Sequence, residues 1–216
     1  MTIRAAVIAT HNRPAELQRC VDAIRDQVDH IVIIDNASDP VVAVTVQNVH
    51  IVHDDEQPPN LSRLWNRGLK YAQFYAGLER KWDVAVLNDD AIVWGGWFSH
   101  VSDHMRATTA VAGCVSQYYP VPTLITDTAP FAISTRVTGW AFMLRGEAGL
   151  RFDERFRWWC GDDDISAQAR AAGGLMAVPG PMVPNTLADT TTTGVLAEQS
   201  ARDMQAFVDK WGRRPW

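Results

Sequence analysis

Short apolar runs alternate with amphipathic segments along the first half of the chain. These runs have the length of buried β-strands and end in polar turns; they cover Ile3–Ala9, His30–Asp35, Val49–His53 and Asp83–Asn88. Apolar residues at helical spacing follow the first run at Leu17, Cys20, Val21 and Ile24, and the third run at Leu61, Leu64, Trp65, Leu69 and Ala72. Apolar strands that alternate with helices predict an α/β fold, with a mostly parallel central sheet flanked by helices.

The second half of the chain is less regular. Strands are predicted at Val111–Tyr118, Val137–Leu144 and Leu175–Pro179, and a helix at Asp163–Ala172. Val183–Gly194 contains four consecutive Thr and is a polar loop long enough to form a lid. One face of a closing helix carries Leu196, Met204, Phe207, Val208 and Trp211. A length of 216 residues supports one sizeable core, so we expect a single domain over residues 1–216.

Polar side chains follow three of the predicted strands. They are Thr10 and Arg13 after the first strand, Asp35 at the end of the second, and Asn88, Asp89 and Asp90 at the end of the fourth. Ligands of parallel α/β sheets bind at the carboxyl ends of the strands. We therefore expect these residues to converge on one edge of the sheet and to form the functional site.

The Asn88-Asp89-Asp90 motif lies between apolar runs that are expected to be buried. Carboxylates are rarely buried unless they are paired or bind a cation. Hard divalent cations prefer oxygen ligands and usually keep waters and substrate phosphates, so a carboxylate at a strand end suits Mg²⁺ or Mn²⁺ that bridges a diphosphate. The alternative is a solvated acidic turn.

The loop from Thr10 to Pro14 has no glycine-rich fingerprint, which disfavours dinucleotide binding and a P-loop. Its hydroxyl, amide and guanidinium groups, on Thr10, Asn12 and Arg13, are able to hold a base and a diphosphate; an ordinary helix start is the alternative. Asp35 is able to accept a hydrogen bond from the imide N–H of uracil or thymine. An Asx-type turn explains Asp35 equally well.

A second acidic cluster, Asp162-Asp163-Asp164, precedes a predicted helix. Acidic residues at a helix start are stabilised by the helix dipole and by capping, but three in a row exceed that need. Mutual repulsion and partial burial raise the pKa of a carboxylate, as a general base requires. The neighbouring Trp158 and Trp159 either line a sugar-binding cleft or pack in the core.

Composition limits the class of protein. The net charge of −5 argues against a nucleic-acid partner, and no apolar run approaches the roughly 20 residues of a membrane span. Three scattered Cys fit neither a disulfide framework nor a CxxC metal site, and the first residues do not resemble a secretory signal. We therefore expect a cytoplasmic protein without a transmembrane segment.

Motifs along nearly the whole chain resemble the inverting, nucleotide-sugar-dependent glycosyltransferases of family 2, which have the GT-A fold. Ala6–Pro14 resembles the opening strand and T-x-N-R-P loop of that family, and Ile33–Asp39 resembles its V-D-N-x-S-D turn. Asn66-Arg67-Gly68 is similar to its N-x-G helix, and Asn88-Asp89-Asp90 to its DXD-type metal motif. Thr138–Arg145 resembles its acceptor-side strand.

The resemblance implies a role for each matched residue. It makes Asp90 the metal ligand and assigns the nucleotide to Thr10, Asn12, Arg13, Asp35, Asn66, Arg67, Asn88 and Asp89. The family pattern E-D-x-D-L falls on residues 161–165, which makes Asp162 the catalytic base, whereas a slip of one residue selects Asp163. The acceptor side would comprise Gly139, Trp140, Trp158, Trp159 and Asp164. Gly161 replaces the usual Glu, and Asp189 and the Thr run stand where the family often has a metal-binding His, which leaves the third metal ligand open.

The implied function is Mn²⁺- or Mg²⁺-dependent transfer of a sugar from a UDP- or dTDP-sugar to a hydroxyl of a glycan, lipid-linked or protein acceptor. Residues 1–93 would form the nucleotide-sugar half, and residues 94–216 the acceptor half with a C-terminal loop and helix. The alternatives are a catalytically degenerate carbohydrate- or nucleotide-binding protein on the same fold, and a sugar nucleotidyltransferase. The sequence specifies neither the donor sugar, the acceptor nor the oligomeric state, since pocket shape rather than fold sets specificity.

Overall fold

The computed structural model describes residues 2–77, 81–129, 131–184 and 194–215. The first half contains β1 (Ile3–Thr10), α1 (Pro14–Ile24), β2 (His30–Asn36), β3 (Val49–Asp54), α2 (Leu61–Ala76) and β4 (Trp82–Asn88). The second half contains α3 (Trp97–Arg106), β5 (Ala112–Val115), β6 (Thr123–Ile125), β7 (Ala141–Arg145), α4 (Gly161–Ala172), β8 (Leu175–Val178) and α5 (Gly194–Trp211). Short 3₁₀ turns cover Ile133–Thr135 and Gly146–Ala148.

The eight strands form one sheet in the order β3-β2-β1-β4-β7-β5-β8-β6. The first four strands of the chain are parallel to one another, as are β5 and β8. β7 is antiparallel to both β4 and β5, and β6 is antiparallel to β8. The predicted α/β class with a mostly parallel, helix-flanked sheet is therefore confirmed, and β7 is the strand that joins its two halves.

Helices cover both faces of the sheet. On one face α2 packs its Trp65 and Leu69 against Val7 of β1, and on the other α1 and α3 pack against Ile8. Neighbouring residues of β1 contribute to opposite cores because strand side chains alternate between faces. Gly68 of α2 lies directly on β1: an added Cβ would be 2.2 Å from the Val7 side chain. The glycine thus permits the close helix–sheet approach that sets the position of α2.

Several elements differ from the sequence-based expectation. The strands predicted at Val111–Tyr118 and Val137–Leu144 are shorter, because residues 116–118 and 137–140 form turns or irregular segments. The helix α3 and the three-residue strand β6 were not predicted. Of the predicted lid, residues 185–193 lie outside the described residues. Among the helices in the described ranges, none has both the length and the apolar character needed to cross a membrane.

Candidate active site

Thr10 and Arg13 meet the acidic motif at the end of β4, because β1 and β4 are adjacent parallel strands with Ala9 opposite Asn88. The Thr10 hydroxyl donates to Asp89 Oδ2 at 2.7 Å. The Arg13 guanidinium donates through Nη1 to Asp89 Oδ1 at 2.7 Å and through Nη2 to Asp90 Oδ2 at 3.0 Å. Burial raises the pKa of Asp89 to about 6, against the opposing effects of Thr10 and Arg13. The acidic pair is thus a buried, built arrangement and not a solvated turn.

Asp90 offers one oxygen for a further ligand. It is 2% exposed, and its Oδ1 is buried without a hydrogen-bond partner in the described structure. A buried, unsatisfied carboxylate oxygen is costly and suits a hard divalent cation. The described residues contain no group of three metal-binding side chains. Mg²⁺ is often held by one or two carboxylates together with substrate phosphates, so the residues present fit such an ion.

Asp35 lies at the end of β2 and is 1% exposed. Its Oδ1 accepts from the backbone N–H of Ser38 at 3.2 Å, and its Oδ2 accepts from Val42 N–H at 3.2 Å and contacts His53 Nδ1 at 3.1 Å. Burial acts to raise the pKa of Asp35, but the bonds from Ser38, Val42 and His53 outweigh it and lower the pKa. The Asx-type turn is therefore present, and contact with a base stays a prediction.

Asn12 joins the loops that follow β1 and β2. Its backbone N–H donates to Ser38 Oγ at 2.9 Å, and its side-chain oxygen accepts from Asp39 N–H at 2.7 Å. Its φ of 55° lies in the left-handed region, which Asn tolerates better than most residues. Asn12 therefore connects the loop after β1 to the loop after β2, and its contact with a nucleotide stays a prediction.

The side chains of Asn66 and Arg67 bond to partners other than Asp89 and Asp90. Asn66 exchanges two hydrogen bonds with the backbone of Phe152, at 2.8 and 2.9 Å. Arg67 pairs with Asp54 at the end of β3. Both side chains thus fasten α2 to neighbouring segments, and their assignment to the nucleotide stays a prediction.

The acidic end of β4 is joined to the predicted acceptor side. Asn88 donates its backbone N–H to the carbonyl oxygen of Trp140 at 3.0 Å, just before β7 begins. The next residue back, Gly139, contacts Asp162, since an added Cβ at Gly139 would lie 2.7 Å from Asp162 Oδ2. A short chain of contacts therefore links the motif at Asn88 to the acidic start of α4.

Asp162 and Asp163 differ in surroundings although they are neighbours at the start of α4. Asp162 is partly exposed beside Gly139, whereas Asp163 is 2% exposed and accepts from Arg136 Nη1 at 3.2 Å. Burial raises the pKa of Asp162, and Arg136 opposes this. Burial and the negative charge of Asp162 raise the pKa of Asp163 to about 8. Asp162 is therefore the more exposed acid of this pair.

Asp164 lies on another side of the helix and is fully buried. It accepts hydrogen bonds from Gln168 Nε2 at 2.8 Å and Trp211 Nε1 at 2.9 Å, and it pairs with Lys210 at 2.7 Å. Successive side chains of a helix point about 100° apart, which explains why the three acids have different partners. The structure does not bring Asp164 together with Asp162 and Gly139, so its assignment to the acceptor is unsupported by this geometry.

Asp203 of α5 holds the segment that precedes α4, a role that the sequence did not predict. It is 1% exposed, and its Oδ2 accepts the backbone N–H groups of Trp158 at 2.7 Å and Trp159 at 2.8 Å. These residues lead into Cys160, whose φ of 63° turns the chain into α4. The signal was an acidic residue next to the apolar face of the closing helix. Trp159 packs against the cluster of Phe156, Cys160 and Phe207, which supports core packing for that tryptophan.

A cavity of about 160 Å³ opens beside Gly139. Its walls are mainly apolar, with Arg136 and several hydroxyl or amide groups among them; they include Tyr118, Arg136, Thr138, Gly139, Trp140 and Met182. Trp140 is fixed here because its Nε1 donates to the carbonyl of Val183 at 2.9 Å. The predicted acceptor-side residues Gly139 and Trp140 thus line a real cleft that adjoins Asp162.

The architecture, a mostly parallel eight-stranded sheet flanked by helices, is that of a GT-A glycosyltransferase. The sequence model described as "Glycosyl transferase family 2" matches residues 5–158. The chain belongs to this family, as its motifs predicted. No curated protein sequence matches the chain at a significant level.

The fold is similar to that of solved structures of S. aureus TarS. A structure of TarS 1–349 in complex with UDP-GlcNAc matches with a TM-score of 0.63 and 11% identity, over 97% of this chain and 66% of that one. TarS 1–349 without a named ligand matches with a TM-score of 0.61 and 8% identity, over 84% of this chain and 59% of that one. TarS in complex with UDP matches with a TM-score of 0.57 and 10% identity, over 84% and 59%. The chain spans about three-fifths of the length of these structures, and the likeness shows the shared fold.

Proposed function

We propose that this chain is an inverting glycosyltransferase, which transfers a sugar from a UDP- or dTDP-sugar to an acceptor hydroxyl in the presence of Mg²⁺ or Mn²⁺. Membership of glycosyl transferase family 2 supports the transferase class. The UDP and UDP-GlcNAc complexes of TarS support a uridine nucleotide as a donor to test first. Residues 1–93 would contribute most of the nucleotide-sugar half, and residues 94–216 the acceptor half.

The observation that carries the proposal is the contact path from Asn88 through Trp140 and Gly139 to Asp162. Group transfer needs charge stabilisation at the leaving group and a base at the nucleophile, on opposite ends of the bonds that break and form. The carboxyl end of β4 would provide the oxygen ligands for charge stabilisation at the leaving group. The start of α4 would provide the carboxylate that acts as the base. The segment that leads into β7, at Gly139 and Trp140, links the two groups.

In the proposed reaction Asp162 accepts the proton of the acceptor hydroxyl as that oxygen attacks the anomeric carbon. A single displacement inverts the configuration at this carbon. Asp90 would hold the divalent cation, which when bound supplies positive charge to the diphosphate leaving group. Asp163 and Arg136, which are hydrogen-bonded to each other, influence the charge around Asp162.

The donor nucleoside would lie over the loops after β1 and β2, where Thr10, Asn12 and Asp35 form the rim. The acceptor would enter through the cleft beside Gly139 and Trp140. Mainly apolar walls with a few hydroxyl and amide groups suit the hydrophobic and polar faces of a sugar ring.

The test is release of the nucleotide diphosphate from a panel of UDP-, dTDP- and GDP-sugars, with Mn²⁺ or with EDTA. Metal-dependent release that disappears in Asp162→Asn, while nucleotide binding is kept, supports the transferase. Nucleotide binding without any turnover would favour the alternative of a degenerate binding protein, for which the replacement of Glu by Gly161 is the motivating observation. An added Cβ at Gly161 would be 3.1 Å from Ser62 Oγ, so a side chain is crowded at this position.

A further inference from the structure

We infer that Arg13 is the resident counter-cation of the acidic pair and competes with a divalent cation for the carboxylate of Asp90. The inference rests on the proposed metal dependence of this edge. It assigns to Arg13 a task apart from contact with the nucleoside. Arg13 would neutralise part of the charge of the pair until a metal arrives together with a diphosphate.

The geometry of the guanidinium carries the inference. One Arg13 nitrogen contacts Asp89 at 2.7 Å and the other contacts Asp90 at 3.0 Å, so the fork bridges two different side chains. Asp89 also receives the Thr10 hydroxyl, so each of its oxygens has a donor. Asp90 has one oxygen on Arg13 and one oxygen that is buried without a hydrogen-bond partner. A cation that binds Asp90 therefore approaches a carboxylate of which one oxygen already accepts a hydrogen bond from Arg13.

Charge decides what happens when both cations are present. Two carboxylates and one guanidinium carry a net charge of −1, whereas adding a dication without any anion gives +1 at a site that is largely shielded from water. Positive charges held within a few ångströms of each other in such a place repel strongly. Arg13 therefore opposes binding of the metal alone.

A diphosphate removes this conflict. Arg13 is 29% exposed, so its side chain reaches solvent at the mouth of the site. Guanidinium groups bind phosphate oxygens as well as carboxylates. A nucleoside diphosphate thus provides phosphate oxygens that Arg13 can bind when the carboxylate of Asp90 binds the metal. Metal and nucleotide then bind with positive coupling, which thermodynamic linkage makes reciprocal.

The test is Mn²⁺ binding, followed by the electron paramagnetic resonance signal of the free aquo ion, with and without UDP. Arg13→Gln removes the charge, and Arg13→Lys keeps a charge that contacts one carboxylate at a time. The matched control is Arg19→Gln on α1, the helix that follows Arg13, because Arg19 is exposed and pairs with Glu16. Without UDP we expect Arg13→Gln to bind Mn²⁺ at least about fivefold more tightly than the wild type, the lower end of typical coupling, with Arg13→Lys in between and Arg19→Gln unchanged.

UDP provides the second measurement. The factor by which UDP strengthens Mn²⁺ binding should be larger in the wild type than in Arg13→Gln. Equal or weaker Mn²⁺ binding by Arg13→Gln without UDP, or an equal UDP factor in both proteins, would overturn the inference. Should Arg13→Gln fail to fold, the same comparison is made with Arg13→Lys.

The outcome separates this inference from the proposed function. The measurement with Mn²⁺ alone involves no sugar donor, so it decides the role of Arg13 even if sugar transfer is not found. A wild-type protein that transfers sugar in EDTA and binds no Mn²⁺ would overturn the inference while the transferase assignment stands.

Discussion

The carboxylate of Asp162 lies against the backbone of Gly139, where an added Cβ would be 2.7 Å from Oδ2. Real side chains do not approach this closely, so a residue other than glycine must displace the carboxylate. The contact couples the segment before β7 to the start of α4. It also fixes the position of Asp162, the acid that adjoins the cleft.

Gly139→Ala should therefore reduce sugar transfer while nucleotide binding is kept, because it moves Asp162 without touching the end of β4. We expect a loss of roughly 10²-fold in kcat, since small displacements at a reacting centre have effects of that size. The checks are kcat for transfer and calorimetric affinity for UDP. The matched control is Gly95→Ala, since no atom lies within 4 Å of a Cβ there and, as at Gly139, the backbone is outside the left-handed region. Unchanged kcat in Gly139→Ala would contradict the position assigned to Asp162.

Asp162→Asn should abolish most of the transfer, by roughly 10²- to 10⁴-fold, because a general base contributes about that factor. Donor binding should remain. Asp163→Asn should have a smaller effect, since this carboxylate is buried against Arg136. Asp164→Asn should mainly change stability, since this buried carboxylate bonds to Gln168 of α4 and to Lys210 and Trp211 of α5. If Asp163→Asn is the inactive variant, the base is one residue further along; if all three variants keep full transfer, the cluster has no catalytic role.

The contribution of Asp163 to the stability of the protein should fall as pH rises from about 4 through about 8. Burial and the charge of Asp162 raise the pKa of Asp163 to about 8, above the ordinary value of 3.8. A carboxyl group with a raised folded-state pKa favours folding when protonated, so its contribution is complete below the unfolded pKa and is lost through the folded one. Urea unfolding at pH 5, 7 and 9 should therefore show a smaller pH dependence in Asp163→Asn than in the wild type. Parallel pH profiles would contradict the raised pKa.

The local pattern of the sequence was enough to predict most of the first half of the fold. β1, β2, β3 and β4 lie within one residue of their predicted bounds, and Asn60 caps α2 by accepting from Arg63 N–H at 3.1 Å. These elements follow from short-range periodicity and capping chemistry. The meeting of Thr10 with Asp89 was also predicted, because adjacent parallel strands bring their carboxyl ends to one edge.

Features that depend on long-range pairing were not predictable in this way. The antiparallel β7 is inserted between β4 and β5, and nothing local in its sequence reveals these neighbours. The contact of Asp203 with Trp158 joins residues 45 positions apart. The helix α3 is a different case, because Trp97, Phe98, Val101 and Met105 have helical spacing, a local signal that the sequence-based prediction did not use. In the structure His100 contacts the carbonyl of Pro179 and His104 that of His100.

UDP should stabilise the protein strongly only when a divalent cation is present. Asp89 and Asp90 repel a bare diphosphate, and the cation removes that repulsion. At a UDP concentration about 100 times the dissociation constant, the free energy of unfolding should rise by about 2.7 kcal/mol. Thermal unfolding with UDP and Mn²⁺, and with UDP and EDTA, makes the comparison, and Asp90→Asn should remove the difference. Equal melting shifts under both conditions would exclude Asp90 as a metal ligand.

Asp203 should support catalysis from a distance by holding the turn before α4. Asp203→Ala leaves the backbone N–H groups of Trp158 and Trp159 without their acceptor, and a buried donor that loses its partner costs roughly 1 to 3 kcal/mol. Asp203→Asn keeps an oxygen that can accept both bonds, so it should retain most of the stability and activity. The expected result for Asp203→Ala is a lower free energy of unfolding and a lower kcat, with little change in the affinity for UDP, because β1 and β4 are not touched. The control on the same helix is Asp209→Ala, since Asp209 is exposed and accepts from Gln205. A variant Asp203→Ala that is destabilised but keeps the wild-type kcat would show that Asp203 stabilises the fold without positioning Asp162.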